Sequence, residues 1–226
     1  MAELIVALDV GSGDEALRIV DSLPNLEWAK VGPMLFLAAG PAIIRELKQR
    51  GIKVFLDLKW HDIPNSVAGA VEVAAGLGVD LATVHALGGE RMLAAARAAS
   101  GEMRLAAVSV LTSYTAEGYW ETLGKVGDGG LAAEVERLAD LALSCGMGGL
   151  VSSPSEIARI RARVGRDFWI VVPGIRPEGT APNDQSRVSE PGAAVAAGAT
   201  HLVVGRPITR AKNPSEVYHT IRNRIG

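Results

Sequence analysis

Between Phe55 and Ser66, three charged residues have the types and spacing to do chemistry: Asp57, Lys59 and Asp62. Val54, Leu56 and Leu58 alternate with Phe55, Asp57 and Lys59, which is the period of a strand, so the latter three share one face. A carboxylate and an ammonium at the end of a buried strand are costly unless paired. Asp62 follows three residues after Lys59, and Pro64 then favours a helix start, because its missing N–H costs nothing there. Two acids bracketing a lysine at a strand-to-helix turn suit a reaction in which charge develops and a proton moves. Taken alone, the stretch is equally well read as a structural ion pair plus an acid near a helix N-terminus.

The chemistry open to Lys59 is constrained by its neighbours. An imine-forming lysine needs a depressed pKa, supplied by apolar burial or a nearby cation. Carboxylates on either side favour the ammonium instead. Such a group can stabilise an adjacent carbanion or donate a proton, which argues against aldolase-type chemistry. Lys30 is a candidate second cation, giving an alternating Lys–Asp–Lys–Asp array; the alternative is a solvated lysine on the second strand.

Strand-like and helix-like segments alternate along the whole chain. Strands are predicted at Leu4–Asp9, Glu27–Gly32, Ile52–Lys59, Leu81–His85, Arg104–Val110, Gly149–Val151, Phe168–Val172 and His201–Val204. Helices are predicted through Ala16–Val20, Pro41–Arg50, Val67–Ala74, Glu90–Ala99, Val135–Leu141, Ser155–Val164, Ala193–Ala197 and Ser215–Arg224. Thr112–Gly130 and Pro173–Glu190 read as the long loops. Eight β-then-α units with short apolar strands indicate a parallel sheet covered on both faces, and eight closes a (β/α)8 TIM barrel. A doubly wound sheet is the alternative. No Pro/Gly/Ser linker divides the chain, so residues 1–226 are expected to form a single barrel domain.

A barrel should gather polar residues at the C-terminal ends of its strands, where barrel active sites lie. Asp9, Lys30, Asp57, Lys59 and His85 end the first four strands, Thr112 and Ser113 follow the fifth, Gln185 follows the seventh and Arg206 the eighth. Gly205-Arg206-Pro207 suits a phosphate, since glycine allows close approach of the backbone and arginine offers paired N–H donors. The seventh loop adds Pro173, Gly174 and Arg176, then Arg187; loops this long commonly cover or line a site, although both arginines could equally be solvated.

Other patterns carry less. Gly11-Ser12-Gly13-Asp14-Glu15-Ala16 matches a dinucleotide fingerprint, but no acid ends the second strand to take a ribose, so it is read as a plain turn. His61, His85, His201 and His219 are too dispersed for a metal motif, and Cys145 is the only cysteine, which excludes a disulfide framework and a thiolate cluster. A net charge of −2 without a basic run gives no hint of a nucleic-acid or membrane partner. The first strand begins almost at the N-terminus and no apolar run reaches membrane-spanning length, so a soluble, cytoplasmic protein is expected.

The stretch Asp57–Ser66 resembles the D-x-K-x-x-D-I-P-N-[TS] signature of the orotidine 5′-phosphate decarboxylase family. The resemblance runs almost the whole chain, through Ala7-Leu8-Asp9, Lys30-Val31-Gly32, Thr83-Val84-His85-Ala86, Val110-Leu111-Thr112-Ser113, Pro173–Pro177, Asp184–Val188 and Val204–Ile208. The D-x-K-x-x-D core is shared with sugar-phosphate decarboxylases of the same superfamily; the extension and the last two segments are the specific part. The resemblance implies a homodimeric barrel that converts orotidine 5′-monophosphate to UMP and CO₂ without a cofactor or metal. It makes Lys30, Asp57, Lys59 and Asp62 a charged tetrad, with Asp62, Ile63 and Ser66 entering the partner chain's site. Asp9, Lys30, Asp62 and Ser66 would hold ribose hydroxyls, and Thr112 or Ser113 the pyrimidine. Gln185 would bridge base and phosphate, and Gly205 and Arg206 would grip phosphate, with Pro173 and Arg176 also in the binding site. Ser66 stands where many members have threonine, and Ser189-Glu190-Pro191 where a small residue, threonine and proline are usual. The competing readings are a Mg²⁺-dependent 3-keto-gulonate-6-phosphate decarboxylase and a non-catalytic phosphate-ligand sensor on the same barrel.

Overall fold

In the computed structural model, which describes residues 2–125, 130–176 and 189–226, eight parallel strands close into a barrel in sequence order. They are β1 (Glu3–Ala7), β2 (Trp28–Val31), β3 (Lys53–Trp60), β4 (Leu81–His85), β5 (Arg104–Val108), β6 (Gly149–Val151), β7 (Trp169–Val172) and β8 (His201–Val204). The ring closes where Ile5 of β1 pairs with Val203 of β8. The doubly wound alternative is thereby excluded.

Strand alternation divides the apolar residues between two cores. Ile5, Ala7, Trp28, Phe55, Leu81, Ala106, Val171 and Val203 point inward and fill the barrel. Their alternates, among them Leu4, Val6, Val54, Leu56, Ala82 and Leu202, point outward under the helices. The same parity carries β2, β3 and β4 from Trp28, Phe55 and Leu81 to Lys30, Asp57 and Thr83. The barrel lumen is therefore apolar at mid-height and charged at the C-terminal mouth.

The helices described are α1 (Gly13–Asp21), α2 (Pro33–Ala39), α3 (Ala42–Gln49), α4 (Pro64–Gly76), α5 (Gly89–Ala99), α6 (Ala116–Thr122), α7 (Ala132–Ser144), α8 (Ile157–Arg163), α9 (Pro191–Ala196), α10 (Arg206–Thr209) and α11 (Pro214–Ile225). Three were not expected. α2 is a short helix with Pro33 in its first turn, ended at Gly40 (φ 59°), and it buries only Leu35. α6 lies within the stretch read as loop; Thr115 caps it by accepting from the Gly118 N–H, and Tyr119 anchors it by donating to Glu134 Oε1 at 2.9 Å. α10 is a single turn after β8. Each is too short to display a helical period. None of the described helices is long and apolar enough to cross a membrane.

The N-terminal end of the lumen is plugged by Trp28, Trp169 and His201, the first residues of their strands, with Trp169 and His201 ring centroids 4.0 Å apart. The Arg104 guanidinium lies 4.1 Å from the Trp169 ring centroid. His201 Nδ1 shares a hydrogen bond with Thr200 Oγ1, while Nε2 is buried without a hydrogen-bond partner among the described residues. Burial, reinforced by the nearby Arg104 and Lys53 cations, pushes the His201 pKa down to about 3. Well above pH 6.5 the ring is neutral whether the chain is folded or not. Below it, the unfolded chain takes up a proton that the folded chain refuses, so stability falls as the pH drops toward 3. His201→Phe is expected to remove roughly 3 kcal/mol of the stability loss between pH 7 and pH 4. Urea unfolding at both pH values checks this; equal losses in the variant and the parent chain would contradict it.

Candidate active site

The charged end of β3 is built on an irregularity. Pairing between β3 and β4 runs from Leu56↔Ala82 to Trp60↔Val84, so β3 carries two extra residues across this interval. Lys59 absorbs the bulge with φ 51°, in the left-handed region that L-residues seldom enter. Backbone strain of this kind persists only where surrounding contacts enforce it, and it concentrates at functional sites.

Four charged groups meet there in an alternating line. Lys30 Nζ lies 2.8 Å from Asp9 Oδ1 and 3.6 Å from Asp57 Oδ2, and Lys59 Nζ lies 2.9 Å from Asp57 Oδ1. Lys30 is 7% exposed and Asp57 9%, which overturns the solvated-lysine alternative for Lys30. Burial alone would raise the Asp57 pKa, but Lys30 and Lys59, with hydrogen bonds from Lys59 and Thr83, outweigh it and hold the carboxyl below its ordinary value. Gly32 is part of the design. A Cβ there would stand 2.9 Å from Asp9 Oδ1 and 3.0 Å from Lys30 Nζ, so a side chain would push the Asp9–Lys30 pair apart.

These groups face a cavity of about 660 Å³ at the C-terminal mouth, within the usual range for a small-molecule site. Asp9, Lys30, Asp57, Lys59, Thr112, Pro173, Arg176, Gly205 and Arg206 all line it. Thr112 and Ser113 are thereby distinguished: Thr112 lines the cavity, and Ser113 is exposed and does not. Arg176 is 7% exposed and donates to the Ile175 carbonyl at 3.1 Å, so it is not a solvated loop arginine. The two described ends of the seventh loop are tied together, the Arg176 N–H donating to Ser189 O at 2.9 Å and the Ser189 N–H to Gly174 O at 3.3 Å. Gln185 and Arg187 lie outside the described residues.

Asp62, Ile63 and Ser66 do not join the array of their own chain. All three are exposed, Ile63 at 67%, and Asp62 Oδ1 accepts the Ile63 N–H at 2.6 Å. His85, at the end of β4, accepts the Leu87 N–H on Nδ1 and stacks on His61 at 5.4 Å. Burial, with His61 and Lys59 nearby, lowers its pKa to about 4, so it is a neutral ring beside the array. Among the described residues, no group of three or more His, Cys, Asp and Glu side chains is placed to hold a metal ion.

Sequence reasoning gave no role of their own to Gly32 and Thr83, which it named only within resembling segments, and it missed the cavity-lining Met34 and Arg210. Gly32 had a signal, since a glycine two residues after a strand-end lysine suggests close packing. For Thr83 the residue type gave no signal, because threonine is an ordinary strand residue.

A closed parallel barrel with a buried carboxylate between two lysines at its catalytic end is a (β/α)8-barrel enzyme. The sequence model of the family described as "Orotidine 5'-phosphate decarboxylase / HUMPS family" matches residues 2–221. Orotidine 5'-phosphate decarboxylase of Alkalilimnicola ehrlichii is 51% identical over 219 residues, covering 94% of this chain and 92% of the relative. That of Halorhodospira halophila is 50% identical over 218 residues, covering 94% and 91%. A crystal structure of orotidine 5'-phosphate decarboxylase from Lactobacillus acidophilus superposes with a TM-score of 0.88 at 35% identity, covering 100% of both chains. The chain belongs to the orotidine 5'-phosphate decarboxylase / HUMPS family.

Proposed function

We propose that this chain decarboxylates orotidine 5′-monophosphate to UMP and CO₂, the last step of de novo UMP synthesis, as one cytoplasmic barrel domain spanning residues 1–226. The observation that carries the reading is the placement of Lys59 Nζ 2.9 Å from the buried Asp57 carboxylate at the edge of the cavity. Loss of CO₂ from C6 of the orotate ring leaves a vinyl carbanion with little delocalisation. A fixed ammonium at Lys59 stabilises that charge as it develops and then delivers a proton to C6, so the C6–carboxyl electron pair ends in a C–H bond. Asp57 holds the ammonium in place and lies where the departing carboxylate leaves. Lys30 keeps Asp57 ionised and, with Asp9, is placed to take ribose hydroxyls. Thr112 contacts the pyrimidine, and Gln185 bridges base and phosphate. No cofactor or metal enters these steps.

Gly205 and Arg206, with Pro173 and Arg176 from the loop after the neighbouring strand β7, form the phosphate end. Binding energy gained there, remote from the reacting carbon, orients the base over Lys59. Arg206→Ala is expected to raise KM for orotidine 5′-monophosphate about 100-fold, with a smaller fall in kcat. Steady-state kinetics over a wide substrate range read both parameters, and an unchanged KM would remove Arg206 from the phosphate site.

The working unit is a homodimer in which Asp62, Ile63 and Ser66 complete the partner chain's site. Support comes from the exposure of all three, Ile63 at 67%, and from a second apolar side chain left in solvent, Leu37 on α2, 87% exposed. The test of the whole reading is loss of orotidylate absorbance on addition of purified protein, repeated with EDTA. Equal turnover in both arms supports a metal-free orotidylate decarboxylase. Turnover abolished by EDTA points to a metal-dependent sugar-phosphate decarboxylase, and UMP binding without turnover to a sensor.

A further inference from the structure

A hydroxyl outside the cavity fixes both charged groups at the end of β3. Thr83 is fully buried on β4. Its Oγ1 accepts the Lys59 backbone N–H at 2.9 Å and donates to Asp57 Oδ1 at 3.0 Å. A threonine hydroxyl has one proton and two lone pairs, so it can make both bonds at once.

Each bond meets a need that the bulge creates. The two extra residues of β3 take Lys59 out of step with β4, so its N–H has no place in the regular strand ladder. A part-buried N–H left without an acceptor is costly, and Thr83 Oγ1 supplies one. From this left-handed backbone, Lys59 Nζ reaches the carboxylate two residues earlier. The second bond fixes the Asp57 carboxylate itself. With Oδ1 shared by Thr83 and Lys59, and Oδ2 facing Lys30, the carboxylate cannot rotate without breaking a contact.

We propose that Thr83 is a positioning residue whose hydroxyl locks Lys59 in its left-handed conformation and fixes the orientation of Asp57, setting where the Lys59 ammonium stands relative to the reacting carbon. This rests on the decarboxylase reading given above. Both bonds are made by the Thr83 hydroxyl, so its methyl group is not the active part. Valine has the same shape and offers neither bond, whereas serine keeps the oxygen.

Kinetics of Thr83→Val and Thr83→Ser with orotidine 5′-monophosphate, paired with amide hydrogen exchange at Lys59, form the test. Thr83→Val is expected to lower kcat about 100-fold with KM changed less than about threefold, because a small displacement of a catalytic group is paid in the chemical step. Thr83→Ser is expected to recover kcat to within about fivefold of the parent chain, and the Lys59 amide of Thr83→Val to exchange at least about tenfold faster. A near-normal kcat in Thr83→Val, or a Thr83→Ser as slow as the valine variant, would overturn the proposal. If the parent chain itself fails to turn over orotidylate, the decarboxylase reading fails on its own. The exchange rates then decide the role of Thr83: unchanged protection of the Lys59 amide overturns it, and lost protection in valine alone upholds the lock.

Discussion

Lys59→Ala is expected to lower kcat for orotidine 5′-monophosphate by at least about 10⁴-fold while the barrel stays folded. The magnitude follows from two roles lost together. Removing one preorganised charge-stabilising donor costs on the order of 10²–10³, and loss of a positioned proton donor on the order of 10²–10⁴. Folding should survive because Asp57 keeps Lys30 on its other oxygen and Thr83 on the first. Lys59 also lies at the rim of the apolar core and not within it. UMP affinity should change little, since the phosphate end of the cavity is untouched. Single-turnover kinetics and UMP titration check the two halves, and a kcat within tenfold of the parent chain would take Lys59 out of the reaction.

Asp62→Ala should be similarly inactive, and mixing it with Lys59→Ala should restore activity that neither variant has alone. Within one chain Asp62 is bonded to its own Ile63 N–H and stays apart from the array only three residues away. An exposed carboxylate beside an exposed isoleucine is an arrangement that a second chain can use. In a two-fold dimer of the two variants, one site loses both residues, and the other has Lys59 from one chain and Asp62 from its partner. At equal mixing, about a quarter of sites should be intact, and activity should rise to about a quarter of the parent value after subunit exchange. Activity staying at baseline after exchange is demonstrated by mass spectrometry would argue that Asp62 serves no partner site.

Most of the barrel could be read from the sequence because each strand is short, apolar and flanked by turn residues. Polar groups such as Asp9, Lys30 and His85 also fall at the strand ends. The Asp57–Lys59–Asp62 spacing marked the site, but spacing alone could not separate Asp62 from the other two. That separation is a property of the turn before Pro64, where the chain leaves the strand and carries the second acid away from the mouth. The left-handed Lys59 was also hidden, because nothing in the residue type announces a positive φ. Its cause is a register shift against β4, which is a relation between two strands distant in sequence. The roles of Thr83 and Gly32 were missed for the same reason: their importance lies in which atoms face them across a strand boundary. The short helices α2, α6 and α10 were missed because a turn or two of helix has no period to detect. α6 in particular is held by a tertiary bond from Tyr119 to Glu134.

In the proposed reaction, Lys59 protonates a carbanion left at C6 by departing CO₂. The most direct measurement is to incubate purified protein with orotidine 5′-monophosphate in D₂O, without added metal, and follow products by proton NMR. UMP carrying a single deuterium at C6, formed in step with CO₂ release and absent with Lys59→Ala, is the expected result. Orotidine 5′-monophosphate recovered unchanged, or UMP formed equally fast by Lys59→Ala, would contradict it.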